Sequence, residues 1–273
     1  LDVYDPDEEF MKQFAPDATA LEHFVKQPVV NLLTAIRTED ALFGFSDYLA
    51  LIHDIQLTIT GAKISFAAPL SVTQTLPRGE LTMGRMFAFY PYENYLYVMK
   101  LSGQEIKDYL EYSYSHWVNQ MKSASDHILL LEENADSSSR FKTKYPTFNF
   151  SSAAGIDYTV DVSKPAGQRV KIEKMSSGEP FLLDDIYTVA LNSYRGNGGG
   201  GLLTKGAGIP KEQLADRILW STIKEVRTYM IDILRSRGSV LPPLAARPNW
   251  HFVPDYWAES AIVADRQFLF GKQ

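Results

Sequence analysis

The stretch Tyr95-Leu-Tyr-Val-Met-Lys-Leu101, followed at once by Ser102-Gly-Gln-Glu105, decides the fold class of this sequence. The first part is rich in the aromatic and β-branched residues that favour strands. The second part has the serine and glutamate spacing of a capping box, in which each side chain satisfies a backbone N–H at the start of a helix. The pattern predicts a strand that leads directly into an amphipathic helix ending near Val118. Strands that alternate with helices indicate an α/β domain.

More elements are predicted on both sides of this unit. Ser46 is a suitable N-cap for a helix that runs to about Thr58, because apolar residues recur there at helical spacing. Residues 211–236 predict the clearest helix, with apolar side chains along one side. Polar residues at 132–144 predict a mobile loop, and residues 241–248 an extended connector. Further strands are predicted at 63–69, 155–162, 168–173, 186–191 and 249–253.

Composition excludes several classes of protein. The chain has 273 residues, 45% of them apolar, and a net charge of −6, so whole-chain disorder is excluded and a general nucleic-acid coat is disfavoured. No window approaches about 18 uninterrupted apolar residues, so no transmembrane helix is predicted. Without cysteine there is no thiol nucleophile and no zinc ribbon, and five scattered histidines do not predict a metal cluster. We therefore expect no cofactor or metal held by this chain, no nucleic-acid polymer and no membrane as partner.

A glycine-rich stretch, Asn192-Ser-Tyr-Arg-Gly-Asn-Gly-Gly-Gly-Gly201, directly follows a predicted strand. Its glycines satisfy the dinucleotide pattern G-x-G-x-x-G, but such a site requires a helix to start at once, which the glycines and proline of residues 206–210 prevent. Two interpretations stay open. The stretch is a flexible surface loop, or its glycines let the backbone approach a ligand closely while Tyr194 and Arg195 contact that ligand.

Two other features allow both a structural and a functional interpretation. Phe89-Tyr-Pro-Tyr-Glu-Asn94 presents rigid rings, which either pack against the protein or stack on a nucleobase. His53 and Gln56 share one side of a predicted helix, next to its apolar stripe. They are either buried polar groups with internal partners or ligand contacts. Clusters typical of metal-assisted hydrolysis are absent, as is a Gly-x-Ser-x-Gly elbow, whereas a Ser/His/Asp triad stays open.

Seven segments occur in order between residues 20 and 253. They are Phe66-Ala-Ala-Pro-Leu70, Tyr90-Pro-Tyr-Glu-Asn94, Leu101-Ser-Gly-Gln-Glu105, Tyr145-Pro-Thr-Phe-Asn-Phe150, Gly155-Ile-Asp-Tyr158, Asn192-Ser-Tyr-Arg195 with its glycines, and Asn249-Trp250. Together they resemble the C-terminal domain of the 5′-nucleotidase superfamily. Within it they are most similar to the bifunctional 2′,3′-cyclic-nucleotide 2′-phosphodiesterase/3′-nucleotidases. The resemblance implies an α/β (α+β) fold, a layered domain with mixed β-sheets flanked by helices.

The resemblance also implies a binding site. In that family two aromatic rings clamp the base, and they correspond to Tyr92 and Tyr194 here. His53 and Gln56 stand on the expected phosphate side, where 5′-nucleotidases carry an Asn-x-x-Arg type pair, so neutral donors replace a phosphate-binding cation there. Gly200 replaces an aspartate that often ends the glycine loop. The remaining implied contacts to base or sugar edges are Asn94, Arg195, Asn197 and Gly198.

By the same resemblance, residues 1–40 are an acidic lead-in and linker helix, residues 41–253 the nucleotide-binding domain and residues 254–273 a tail. The family places two divalent metal ions on a separate N-terminal metallophosphoesterase domain, in the same or another chain. The chain is then part of a hydrolase acting on phosphate esters of nucleotides, inactive alone, in a periplasmic or otherwise exported protein, although residues 1–10 lack the features of a signal peptide. The alternatives are a stand-alone nucleotide- or nucleoside-binding module and an interaction domain with a degenerate pocket.

Overall fold

The computed structural model describes residues 7–132, 142–241 and 247–271, and none of the helices in these ranges is both long and apolar enough to cross a bilayer. The predicted mobile loop and extended connector fall largely outside these ranges. The helices are α1 Glu8–Val25, α2 Asp47–Thr60, α3 Met83–Phe89, α4 Gly103–Trp117, α5 Ser193–Gly196, α6 Val226–Ser236 and α7 Asp255–Phe270. The strands are β1 Pro28–Leu32, β2 Ile36–Arg37, β3 Ile64–Ala67, β4 Thr75–Leu76, β5 Gly79–Thr82, β6 Leu96–Ser102, β7 Ser152–Ala154, β8 Ile156–Asp161, β9 Val170–Met175, β10 Ile186–Asn192, β11 Ile218–Ser221, β12 Val240–Leu241 and β13 Trp250–Val253.

A five-stranded mixed sheet in the order β11-β6-β10-β3-β7 forms the centre of the molecule. β10 is antiparallel to β6 and parallel to β3. The predicted strand-to-helix unit is confirmed as β6 and α4. Both bonds of the capping box are present, from the Glu105 N–H to the Ser102 hydroxyl at 3.1 Å and from the Ser102 N–H to the Glu105 carboxylate at 2.7 Å.

The core has two parts. The larger part lies around the central sheet, α4 and the sheet β13-β8-β9, and includes the stacked rings of Trp117 and Phe150. The smaller part surrounds α2, which begins at the predicted N-cap Ser46 and ends at Gly61 in the left-handed conformation. The predicted strand pair at 155–173 is confirmed as antiparallel β8 and β9, with β13 parallel to β8.

The prediction of one helix over residues 211–236 is wrong. Only Val226–Ser236 is α-helical, whereas residues 211–217 form 3₁₀ turns and Ile218–Ser221 forms strand β11. The reason is tertiary, because β11 pairs with the free edge of β6. Ile223, an apolar residue within the predicted helix, is 84% exposed. Non-local pairing therefore overrides the helical periodicity of this segment.

Both terminal segments of the described chain contain regular structure. β1 pairs with β5 and β12, and its apolar residues enter the smaller core. α7 contributes Ala258 and Ala261 to the larger core. The predicted domain boundaries stay a prediction.

Candidate functional site

Four segments that are separated in sequence meet at one cavity of about 310 Å³ beside the end of β10. Tyr92 and Tyr194 are both among its lining residues, and they are 42% and 41% exposed. Every lining side chain is uncharged, which suits a flat neutral ligand better than a phosphate. The full lining is Leu70, Tyr92, Asn94, Phe148, Asn192 and Tyr194.

The ring of Tyr194 is supported from behind by the glycine-rich loop. A Cβ on Gly199 would lie 2.5 Å from the ring carbon Cε2, so the ring rests directly on glycine backbone. The guanidinium of Arg195 lies 5.4 Å from the ring centroid, and the Tyr194 hydroxyl donates to Asn149 Oδ1 at 3.4 Å. These contacts fix the orientation of the ring beside the cavity.

Tyr92 packs against a third ring that the sequence analysis did not assign to the site. The ring centroids of Tyr92 and Phe148 are 6.3 Å apart, and the ring planes are inclined by 65°. Phe148 belongs to the 3₁₀ turn Thr147–Asn149. The segment Tyr145-Pro-Thr-Phe148 combines aromatic residues with a proline, as Tyr90-Pro-Tyr92 does, and this likeness is the signal that could have identified Phe148.

Polar groups lie beneath the aromatic walls. Asn94 lines the cavity, and the Asn192 side chain accepts from the Arg195 N–H at 2.9 Å and so caps the short helix α5. The buried Tyr90 hydroxyl has no hydrogen-bond partner among the described residues. Burial raises the pKa of Tyr90 to about 12, so its hydroxyl stays protonated at neutral pH.

His53 and Gln56 belong to a separate buried network. His53 Nδ1 lies 2.9 Å from the Ser65 hydroxyl, which donates to Gln56 Oε1 at 2.9 Å, so Nδ1 carries the proton. His53 Nε2 then accepts from the Ser152 hydroxyl at 3.3 Å. Burial lowers the pKa of His53 to about 3 and keeps the ring neutral. His53 lines a second cavity of about 220 Å³, and neither residue lines the cavity of Tyr92 and Tyr194.

Comparison with known proteins identifies the family. The sequence model described as "5'-nucleotidase, C-terminal domain" matches residues 34–205. The chain belongs to this family. The family predicted from the sequence is thereby confirmed.

Two relatives of this chain are longer proteins. This chain is 29% identical over 191 residues to the trifunctional nucleotide phosphoesterase protein YfkN of Bacillus subtilis. The matched region covers 66% of this chain and 12% of that protein. It is 30% identical over 276 residues to a 2′,3′-cyclic-nucleotide 2′-phosphodiesterase/3′-nucleotidase of Yersinia enterocolitica, covering 88% of this chain and 39% of that protein. The chain therefore spans well under half the length of these relatives.

Solved structures share the fold of this 5′-nucleotidase C-terminal domain. A 5′-nucleotidase precursor from Thermus thermophilus has a TM-score of 0.65 and 21% identity, with 92% of this chain and 44% of that chain covered. The NAD nucleotidase of Haemophilus influenzae has a TM-score of 0.60 and 15% identity, with coverage of 91% and 42%. The predicted α/β fold class with mixed sheets is confirmed.

A metal centre does not fit the part of the domain that the structure describes. No group of three or more His, Asp or Glu side chains within residues 7–132, 142–241 and 247–271 is placed to hold an ion. Two-metal phosphoesterase chemistry needs several such ligands in one place. No catalytic step through a metal is therefore assigned to these residues.

The domain thus brings together some of the predicted site residues and separates others. Tyr92, Asn94 and Tyr194 share one cavity. Arg195 is buried beneath its wall, and Asn197 is exposed on the loop outside the lining. Gly198, with φ of +90°, begins a series of tight glycine turns. Like His53 and Gln56, these residues stay predicted contacts.

Proposed function

We propose that this chain is the substrate-recognition domain of a nucleotide phosphohydrolase and that it clamps the nucleobase between Tyr92 and Tyr194. One observation carries the proposal. Two half-exposed tyrosines from segments about one hundred residues apart line a single uncharged cavity. An interaction domain with a degenerate pocket would instead have these rings buried apart.

The chemistry of the cavity suits a nucleobase. Stacking of one base on one aromatic ring is worth roughly 1–3 kcal/mol and tolerates every base, since each base has a π-face. The Asn94 amide offers both a donor and an acceptor to the edge of a base. Binding energy from the base then holds the distant phosphate in position for attack.

Hydrolysis belongs to a second unit in this proposal. The phosphohydrolase is of the 2′,3′-cyclic-nucleotide 2′-phosphodiesterase/3′-nucleotidase or 5′-nucleotidase type and acts on nucleotides. A metallophosphoesterase domain in the same or a separate chain holds its metal ions. The chain contributes recognition and no metal ligands. By the same family inference the whole protein is exported or periplasmic.

The proposal is tested on this chain alone. We expect the chain to bind adenosine. We expect it neither to release phosphate from 3′-AMP nor to open the ring of 2′,3′-cyclic AMP, with or without added Mn²⁺ or Zn²⁺. Metal-dependent turnover at enzyme-like rates would contradict the proposal that this chain recognises the nucleotide while another domain hydrolyses it. A metallophosphoesterase segment encoded upstream in the same reading frame favours the enzyme, whereas a stop codon just before this chain favours a stand-alone nucleotide-binding module.

A further inference from the structure

The buried guanidinium of Arg195 joins two segments behind the cavity. Arg195 is only 3% exposed. Its Nη2 donates to the Phe148 backbone oxygen at 2.5 Å. Its Nη1 donates to the Gly199 backbone oxygen at 3.0 Å and to Asn149 Oδ1 at 3.3 Å. No carboxylate pairs with it among the described residues. Its bonds therefore tie the turn at 147–149 to the glycine-rich loop.

Gly200 makes room for this arrangement. A Cβ at Gly200 would lie 2.1 Å from Arg195 Nη1 and 2.6 Å from Asn149 Oδ1, and its φ of +72° favours glycine. Asn149 Oδ1 also accepts from the Tyr194 hydroxyl at 3.4 Å. Arg195 and Asn149 are thus connected to Tyr194 on one wall of the cavity and to Phe148 on the other.

The inclination of Phe148 defines its role in the cavity. Because its ring plane lies at 65° to that of Tyr92, a flat ligand stacked on Tyr92 meets Phe148 at a steep angle. Edge-to-face contacts of this kind are favourable for aromatic rings. Phe148 is 37% exposed, so its ring is accessible to a ligand.

We propose that Phe148 is a third ring of the nucleobase site and that Arg195 is a positioning residue that holds Phe148 and Tyr194 in place. This inference rests on the proposed function, since the ligand in question is the base of the nucleotide. Arg195 acts through its bonds to the protein, and the contact to the base edge comes from the Phe148 ring.

The role of Phe148 is tested by adenosine binding, measured by calorimetry. Phe148→Leu keeps an apolar side chain without a π-system, and we expect about two- to tenfold weaker binding, the worth of one edge-to-face contact. Phe148→Tyr should bind like the wild type. Phe268→Leu is the matched control, because Phe268 is also 37% exposed but lies on α7. Wild-type affinity in Phe148→Leu overturns the third-ring assignment.

The role of Arg195 is tested by a double-mutant comparison. We measure the fold-loss of adenosine affinity in Phe148→Leu, in Arg195→Met and in the double variant. Because Arg195 acts partly through Phe148, we expect the fold-loss in the double variant to be smaller than the product of the two single fold-losses. If the two single fold-losses multiply in the double variant, Arg195 contacts the ligand independently of Phe148, and this outcome overturns the positioning role through Phe148. Arg195→Lys should bind adenosine as weakly as Arg195→Met does, since one ammonium group cannot replace the planar, forked guanidinium group.

A measurement without ligand separates failure of this inference from failure of the proposed function. The Phe150 N–H donates to the Thr147 oxygen and the Asn149 N–H to the Pro146 oxygen, both at 2.9 Å. In Arg195→Lys we expect hydrogen exchange at these two amides to be about tenfold faster, with α4 unchanged. Unchanged exchange overturns the positioning role. If the wild type binds no nucleoside while exchange accelerates, the proposed function and the third-ring assignment fail but the positioning role stands.

Discussion

Gly199 lies directly against the ring of Tyr194, so close that a Cβ on Gly199 would be 2.5 Å from the ring carbon Cε2. The same Cβ would lie 2.5 Å from the Tyr194 backbone oxygen, so Gly199→Ala must shift the Tyr194 ring together with the backbone of the loop. We expect adenosine binding to weaken by up to the worth of one stack, about 1–3 kcal/mol, as measured by calorimetry.

The control for this variant is Gly208→Ala, further along the same connection between β10 and β11. Gly208 has a φ of +71° and open space around a Cβ, so the substitution strains the backbone without moving a ring. It should lower the free energy of unfolding by about 1–2 kcal/mol and leave adenosine binding unchanged. Equal affinity losses in both variants would mean that loop strain, and not the position of Tyr194, controls binding.

The buried histidine predicts a specific dependence of stability on pH. Burial lowers the pKa of His53 to about 3, below its ordinary value of 6.5. Between these values the unfolded chain binds a proton that the folded chain does not, so stability is lost as the pH falls below 6.5. From pH 7 to pH 5 this amounts to about 2 kcal/mol for one such group.

Urea unfolding of the wild type and of His53→Gln at pH 7 and pH 5 measures this contribution. The variant lacks the titrating ring but keeps polar atoms near Ser65 and Ser152. We expect the wild type to lose about 2 kcal/mol more than the variant over this range. Parallel pH profiles would contradict a neutral, buried His53.

The attachment of α7 depends on the buried carboxylate of Asp265. This carboxylate accepts from the Leu129 N–H at 2.9 Å and pairs with His127. Asp265→Ala leaves the Leu129 donor without its partner and should lower the free energy of unfolding by about 1–3 kcal/mol. Glu259→Ala, at an exposed position of the same helix, should change it by less than about 0.5 kcal/mol. Similar losses in urea unfolding of the two variants would contradict this role.

Local signals in the sequence predicted much of the fold. The capping box of Ser102 and Glu105 and the N-cap Ser46 act within a few residues, so the starts of α4 and α2 were predicted correctly. Strand β11 was missed because its strand character comes from pairing with the edge of β6, more than one hundred residues away in sequence. Apolar spacing alone does not distinguish such a strand from a helix.

The site was predictable only in part, for a similar reason. Tyr92 and Tyr194 share the expected cavity. Phe148 was missed because its position depends on a bond from Arg195, 47 residues further along the chain. His53 and Gln56 lie in another buried network, since helical spacing indicates which side of α2 they share but not which element covers that side.

The central claim is the clamp of Tyr92 and Tyr194, and the most direct test is the dissociation constant for adenosine by calorimetry. Tyr92→Leu and Tyr194→Leu keep apolar bulk but remove a stacking ring. Tyr95→Leu is the control, because Tyr95 is 45% exposed and does not line the cavity. The clamp predicts that each of the first two variants loses about 1–3 kcal/mol of binding free energy while the control loses none. Measurable wild-type binding that is unchanged in both Tyr92→Leu and Tyr194→Leu would contradict it.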